Sequence, residues 1–193
     1  MRTTLDIRIK SLSPELLEDF FTFFEGVEFP EHPHWSACYC YSFHFTGPNE
    51  NWCREGNRAA VEKLVGEERM KGYLAYHEGK PVGWCNSNNR LNYQRLVKFY
   101  DLVEPDHLKI CSIVCFLIHP DYRLRGITHQ ILGRVIKDYS ALEYETIEAY
   151  PGKGKLSAED QYKGPLELYL KNGFEKVREY ENYTLVRRSL INE

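Results

Sequence analysis

The segment Cys111-Ser-Ile-Val-Cys-Phe-Leu-Ile-His-Pro120 is apolar on both of its alternating faces, as a strand covered on both sides must be. That property calls for a sheet with helices packed above and below it. His119-Pro120 ends the strand, because proline brings no ladder donor and restricts the residue before it. Asp121-Tyr-Arg-Leu-Arg-Gly126 follows as a turn, and Ile127, Ile131, Val135 and Tyr139 then recur at helical spacing. Gly126 lets the backbone approach a ligand closely. The free N–H groups and positive dipole end of a helix start suit a phosphate. Arg123 and Arg125 stand in the same turn. The segment reads as a diphosphate cradle.

The flanking sequence alternates the two periods. Leu5 to Ile9 reads as a strand. Ser13-Pro14 reads as an N-cap and first helical residue, opening a helix to about Glu25. Helical spacing returns from Asn57 to Met70. Gly72–His77 and Pro81–Asn86 form a hairpin signal around Glu78-Gly79-Lys80. A polar connection over 88–107 holds a short helix near Tyr93 to Tyr100. Beyond the central helix come a strand at Glu145 to Tyr150, a Gly/Lys-rich loop over 151–164 and a short helix from Pro165 to Lys171. Asn172-Gly173 stops that helix as a left-handed cap, and strands at Phe174–Tyr180 and Tyr183–Arg188 follow. The expected fold class is α/β with a mixed sheet: a central twisted sheet flanked by helices, in one domain over 1–193.

Composition removes several classes of function. A formal net charge of -3 is the wrong sign for a general nucleic-acid binder. No segment approaches the roughly 20 apolar residues that span a bilayer, so no membrane partner is expected. The opening Met1 to Lys10 alternates polar and apolar residues without a signal-peptide block, which implies a cytoplasmic location. The six cysteines are then expected as free thiols; Cys85, Cys111 and Cys115 lie in apolar, strand-like surroundings.

Two segments together resemble a family. Arg123-x-x-Gly126-x-Thr128 follows the central strand, and Tyr169-Leu-Lys-Asn-Gly-Phe174 comes about forty residues later. The pair resembles the GNAT superfamily of acyl-CoA-dependent N-acetyltransferases. Its members carry Gln/Arg-x-x-Gly-x-Gly/Ala after the fourth strand and Tyr-x-x-x-Gly-Phe near the end. Thr128 departs from the usual Gly/Ala but leaves the backbone donors in place.

The resemblance implies acetyl-CoA as co-substrate, an amine as acceptor and no metal. The backbone of Phe116, Leu117 and Ile118 would pair with the pantetheine arm. Arg123, Leu124, Arg125, Gly126, Ile127 and Thr128 would wrap the pyrophosphate. Tyr169 would be the general acid that protonates the leaving thiolate. Several members place a glutamate in the fourth strand where this chain has Ser112 or a neighbouring apolar residue. The base is therefore left among Glu148, His119 and His44, or the amine arrives already neutral.

Trp35-Ser-Ala-Cys-Tyr-Cys-Tyr-Ser-Phe-His44 shows no clean period. In GNAT proteins this region commonly covers the acceptor, so Trp35, Tyr39 and His44, with Trp84 from the third strand, are expected to wall its pocket. The same residues admit a core-packing reading. A metal reading through Cys38, Cys40 and His44 lacks a fourth ligand unless Cys53 completes it. Lys153-Gly-Lys155 resembles part of a phosphate loop, but its first glycine is replaced by Ala149. These lysines read as loop charges or as a contact to the CoA 3′-phosphate. Two other functions stay open: a silent acyl-CoA-binding or sensor domain, and a thiol or metal protein. A homodimer is compatible with the sequence.

Overall fold

A computed structural model of the chain describes residues 5–27, 29, 32–99 and 109–191. The strands are β1 (Arg8–Ser11), β2 (Gly72–His77), β3 (Lys80–Asn89), β4 (Ile110–Ile118), β5 (Thr146–Ala149), β6 (Glu175–Glu179) and β7 (Thr184–Ser189). The helices are α1 (Leu17–Gly26), α2 (Arg54–Gly66), α3 (Gln94–Phe99), α4 (Ile127–Ala141) and α5 (Leu166–Leu170). The strands form one mixed sheet in the order β1-β2-β3-β4-β5-β7-β6. β4 and β5 run parallel, whereas the other neighbours are antiparallel. A parallel pair needs a crossover, and α4 provides it.

Helices cover both faces of β4, as its unbroken apolar run requires. Cys111, Ile113 and Phe116 pack with Ile127, Ile131 and Val135 of α4 and Tyr169 of α5. On the opposite face, Val114 packs with Tyr93 and Leu96 near α3, and Leu117 with the phenylalanines of α1. Phe20, Phe21, Phe23 and Phe24 are all buried, wider than one helical stripe. α1 lies between two surfaces: Phe20 meets Trp84 of the sheet, and Phe21 meets Tyr39. Each such ring contributes roughly 2 kcal/mol on burial.

Several boundaries differ from the expected ones for local reasons. β1 begins at Arg8, although Leu5 and Ile7 still pack against the core. Ser13 is extended and makes no side-chain cap, so Pro14 opens a 3-10 turn, Pro14–Leu16, ahead of α1. α2 starts earlier than its apolar period because the Cys53 thiol accepts from the Gly56 N–H at 3.4 Å. β3 runs on to Asn89 before a 3-10 turn at Arg90–Asn92. The expected helix near Tyr93 is α3, while Tyr100 lies outside the described residues.

Candidate active site

The site is built by an irregularity in β4. Cys115 pairs with Asn86 and Ile113 with Ser87, so Val114 is the extra residue of a bulge. The bulge turns both Val114 and Cys115 toward the face that carries α1 and α3. Parallel pairing with β5 ends at Ile113–Ala149, yet β4 continues to Ile118. From Val114 onward β4 pairs only with β3 on one edge. Phe116, Leu117 and Ile118 lie opposite Cys85, Trp84 and Gly83. Among the described residues no strand takes the other edge. The 3-10 turn Asp160–Lys163 packs near β4.

The turn that leaves β4 is anchored back onto the strand. His119 Nδ1 accepts from the Asp121 N–H at 3.3 Å, and Arg123 Nε donates to the Ile118 carbonyl at 3.2 Å. Leu124 takes φ 58° and Gly126 takes φ 79°, a left-handed pair that curls the chain into α4. A side chain at Gly126 would meet no atom within 4 Å. Glycine is required there by the backbone angle, and the space above the turn is open. The first N–H groups of α4 have no intrahelical acceptor, and they head a helix of 15 residues. The Arg125 guanidinium lies 5.7 Å from the Tyr122 ring centroid.

Tyr169 reaches the same region from α5. Its ring is fully buried against Phe174, and its hydroxyl donates to the Lys163 carbonyl at 2.6 Å. A Cβ on Gly164 would come within 2.8 Å of that hydroxyl, so only glycine lets the loop approach the phenol. Burial pushes the Tyr169 phenol well above its ordinary range, and it holds its proton.

The Acetyltransferase (GNAT) family model matches residues 15–174, most of the chain. The chain belongs to the GNAT acetyltransferase family. Solved structures of similar fold include the PaiA N-acetyltransferase of Thermoplasma acidophilum in complex with coenzyme A. It is 13% identical, with a TM-score of 0.58 over 96% of this chain and 99% of that one. An N-acetyltransferase from Staphylococcus aureus is 15% identical, with a TM-score of 0.57 over 96% and 99%. A GNAT acetyltransferase from Streptococcus pneumoniae is 15% identical, with a TM-score of 0.56 over 95% and 99%. No curated protein matches the sequence.

Beside the splayed half of β4, this GNAT domain encloses a cavity of about 480 Å³. Cys115 and Leu117 form its floor. Phe24, Phe29, Trp35, Phe43, Trp52 and Tyr162 form aromatic walls, and Arg95 of α3 stands at its margin. Trp35 meets Tyr162 edge-on at 5.3 Å and stacks on His32 at 4.1 Å; His32 Nε2 contacts Asp160 Oδ1 at 3.0 Å. These contacts tie the segment before α2 to the loop before α5 across the cavity.

Of the four residues expected to wall the acceptor pocket, Trp35 alone lines this cavity. Tyr39 is turned into the core, where its hydroxyl donates to Glu25 at 3.0 Å and accepts from Arg54 at 3.2 Å. Trp84 is buried against Phe20. His44 contacts the Asn92 carbonyl through Nδ1 at 3.0 Å and packs on Tyr93. The correction has a local cause. Tyr39 and Cys40 both adopt positive φ, 43° and 54°, which breaks the simple alternation of side chains. Cys38 and Cys40 therefore face the cavity and Tyr39 does not.

The thiols there are not arranged as ligands. Among the described residues no group of three or more His, Cys, Asp or Glu side chains could hold a metal. Asn86 Nδ2 donates to Cys40 Sγ at 3.3 Å. Burial pushes Cys40 up, but hydrogen bonds from Cys115 and Asn86 outweigh it and hold the thiol below its ordinary range. Cys115 moves the opposite way, raised first by its bond to Cys40 and then by burial.

The base candidates fare differently. Glu148 is fully buried and accepts from Ser112, Tyr150 and Arg187, so its carboxylate is committed. His44 lies away from the cavity lining, and His119 caps the turn after β4. Lys153 binds Glu179 at 3.3 Å and the Tyr180 carbonyl at 3.0 Å. The residues that sequence reasoning missed are Phe43, Trp52, Arg95, Cys115 and Tyr162. They come from four separate segments with no shared spacing.

Proposed function

We propose that the protein transfers the acetyl group of acetyl-CoA to a primary amine of a small-molecule acceptor, by direct attack in a ternary complex. The observation that carries this reading is the end of β4–β5 pairing at Ile113–Ala149, which leaves the last part of β4 unpaired on that edge between the aromatic cavity it lines and the Gly126 turn it leads into. The free edge of β4 at Phe116, Leu117 and Ile118 suits the amide-bearing pantetheine arm. The turn from Arg123 through Leu124, Arg125, Gly126, Ile127 and Thr128 suits the pyrophosphate, by its cations and its free N–H groups.

The amine nitrogen attacks the thioester carbonyl carbon, the C–S bond breaks, the thiolate takes the Tyr169 proton, and the phenolate regains a proton from solvent as the nitrogen gives one up. A phenol kept protonated by burial is chemically suited to that step. In the resting protein its donor is held by Lys163, and the thiolate replaces that carbonyl as acceptor. With Glu148 committed, no carboxylate among the described residues lines the cavity to serve as base. The amine binds neutral and its proton leaves through solvent.

Release of free CoA thiol from acetyl-CoA in the presence of an amine panel tests the reaction, and a thermal shift with CoA tests the donor. Stabilisation by CoA together with amine-dependent thiol release is expected. Stabilisation without turnover of any amine would favour a silent acyl-CoA-binding domain, the reading suggested by the committed Glu148. No stabilisation at all would overturn both.

A further inference from the structure

The cavity beside β4 has an uneven charge pattern. Among the described residues no aspartate or glutamate lines it, although the chain carries more acidic than basic residues. A polyamine or an aminoglycoside would need carboxylates to replace the water around its several ammonium groups, and the described lining residues offer none. What the described lining offers is mostly aromatic surface, a few small polar groups and one full cation, with a second cation next in sequence to Tyr162. Arg95 lines it from α3. Lys163, next to the lining residue Tyr162, is near enough to Arg95 to feel its charge.

Neither cation has a carboxylate partner among the described residues. The Lys163 ammonium lies 5.9 Å and 5.5 Å from the ring centroids of Tyr162 and Tyr183. Burial first, and Arg95 second, lower its hold on the proton. Lys163 feels the positive charge of Arg95, and an anion bound beside them offsets that repulsion.

Taking the acetyl-transfer reading as given, we infer that the acceptor is an amine with an apolar, ring-sized body and a carboxylate, which Arg95 and Lys163 bind. The aromatic walls take the body, and the carboxylate stays at the cationic margin. The amine is thereby directed to the β4 floor at Cys115 and Leu117.

The test compares acetylation of L-phenylalanine and L-tryptophan with that of L-phenylalaninamide, phenethylamine and spermidine, in the native protein and in Arg95→Ala. At least about a tenfold higher kcat/KM is expected for the two carboxylates over the amide and the amines. In Arg95→Ala that preference collapses through KM for the amino acid, while KM for acetyl-CoA stays put. Arg95→Lys restores part of it. Equal use of the amide or of spermidine, or an unchanged preference in Arg95→Ala, would overturn the inference and leave the acetyltransferase reading standing.

If CoA binds but no panel member is acetylated, a thermal shift of the CoA-loaded protein with millimolar 3-phenylpropionate decides. Stabilisation lost in Arg95→Ala supports the carboxylate site, and no stabilisation refutes it. Failure of CoA itself to bind sinks the parent reading together with this one.

Discussion

Ser112 Oγ donates to Glu148 Oε1 at 2.7 Å, directly across the parallel pairing of β4 and β5. The same oxygen accepts from Tyr150 at 2.6 Å, and Oε2 takes a fork from Arg187 at 3.1 Å and 2.9 Å. Arg90 adds a longer ion pair at 3.9 Å. A carboxylate so surrounded fastens the paired step next to the last before the β4–β5 pairing ends. Its role is to hold the mouth of the splay open at a fixed place, not to move a proton.

Glu148→Gln tests that assignment. It leaves the buried Arg90 and the part-buried Arg187 facing a neutral amide, and losing one partner of a buried pair costs about 3 kcal/mol or more. The melting temperature is expected to drop by roughly 10 °C, with thiol release per folded molecule retained. A variant with unchanged melting but abolished turnover would instead make Glu148 the base.

Tyr169→Phe separates catalysis from packing. The ring still fills the space against Phe174, but the Lys163 carbonyl loses its donor, at about 1 kcal/mol. If the phenol protonates the thiolate, turnover falls about 100-fold or more while the affinity for CoA stays the same. Wild-type turnover on a confirmed acceptor would remove Tyr169 from the chemistry and leave it as a core residue.

Gly126→Ala probes the turn without a steric clash, because the new methyl group meets no atom within 4 Å. The left-handed backbone makes it cost about 1 kcal/mol in stability. The methyl group also stands in the open space through which a phosphate would approach. CoA affinity, measured by calorimetry, is expected to weaken about tenfold or more. Unchanged affinity would place the pyrophosphate elsewhere.

The parts legible in the sequence were those with a period or a fixed backbone demand. The apolar run from Cys111 to Ile118 showed β4, and Gly126 with Ile127, Ile131 and Val135 showed the turn and α4. Asn172-Gly173 marked the end of α5, where Gly173 takes φ 78°. The bulge at Val114 was hidden, because an extra residue in a continuous apolar strand leaves no trace in its pattern. The segment from Phe29 to Trp52 was equally opaque. Its 3-10 turns and its left-handed Tyr39 and Cys40 have no repeat, and aromatic residues suit a core and a cavity wall alike. The link between Ser112 and Glu148 depends on strand register, which only the folded sheet shows.

His44 gives the protein a defined sensitivity to acid. The Asn92 carbonyl can only accept, so the Nδ1 of His44 carries the ring proton and Nε2 is bare, buried and unpartnered. Burial lowers the pKa to about 4, helped by the positive charge of Arg69 and opposed by the bond to Asn92. In the unfolded chain the group titrates near 6.5. Above that pH both states are neutral and the histidine contributes no slope. As the pH falls from 6.5 toward 4 the unfolded state takes up a proton that the folded state refuses, so stability is lost across that window. The span corresponds to about 3 kcal/mol. His44→Gln keeps an N–H for the Asn92 carbonyl and removes the titration. Urea unfolding at a series of pH values should therefore show a steeper decline for the native protein than for the variant between pH 6.5 and 4. Parallel declines would mean that His44 is protonated in the folded state.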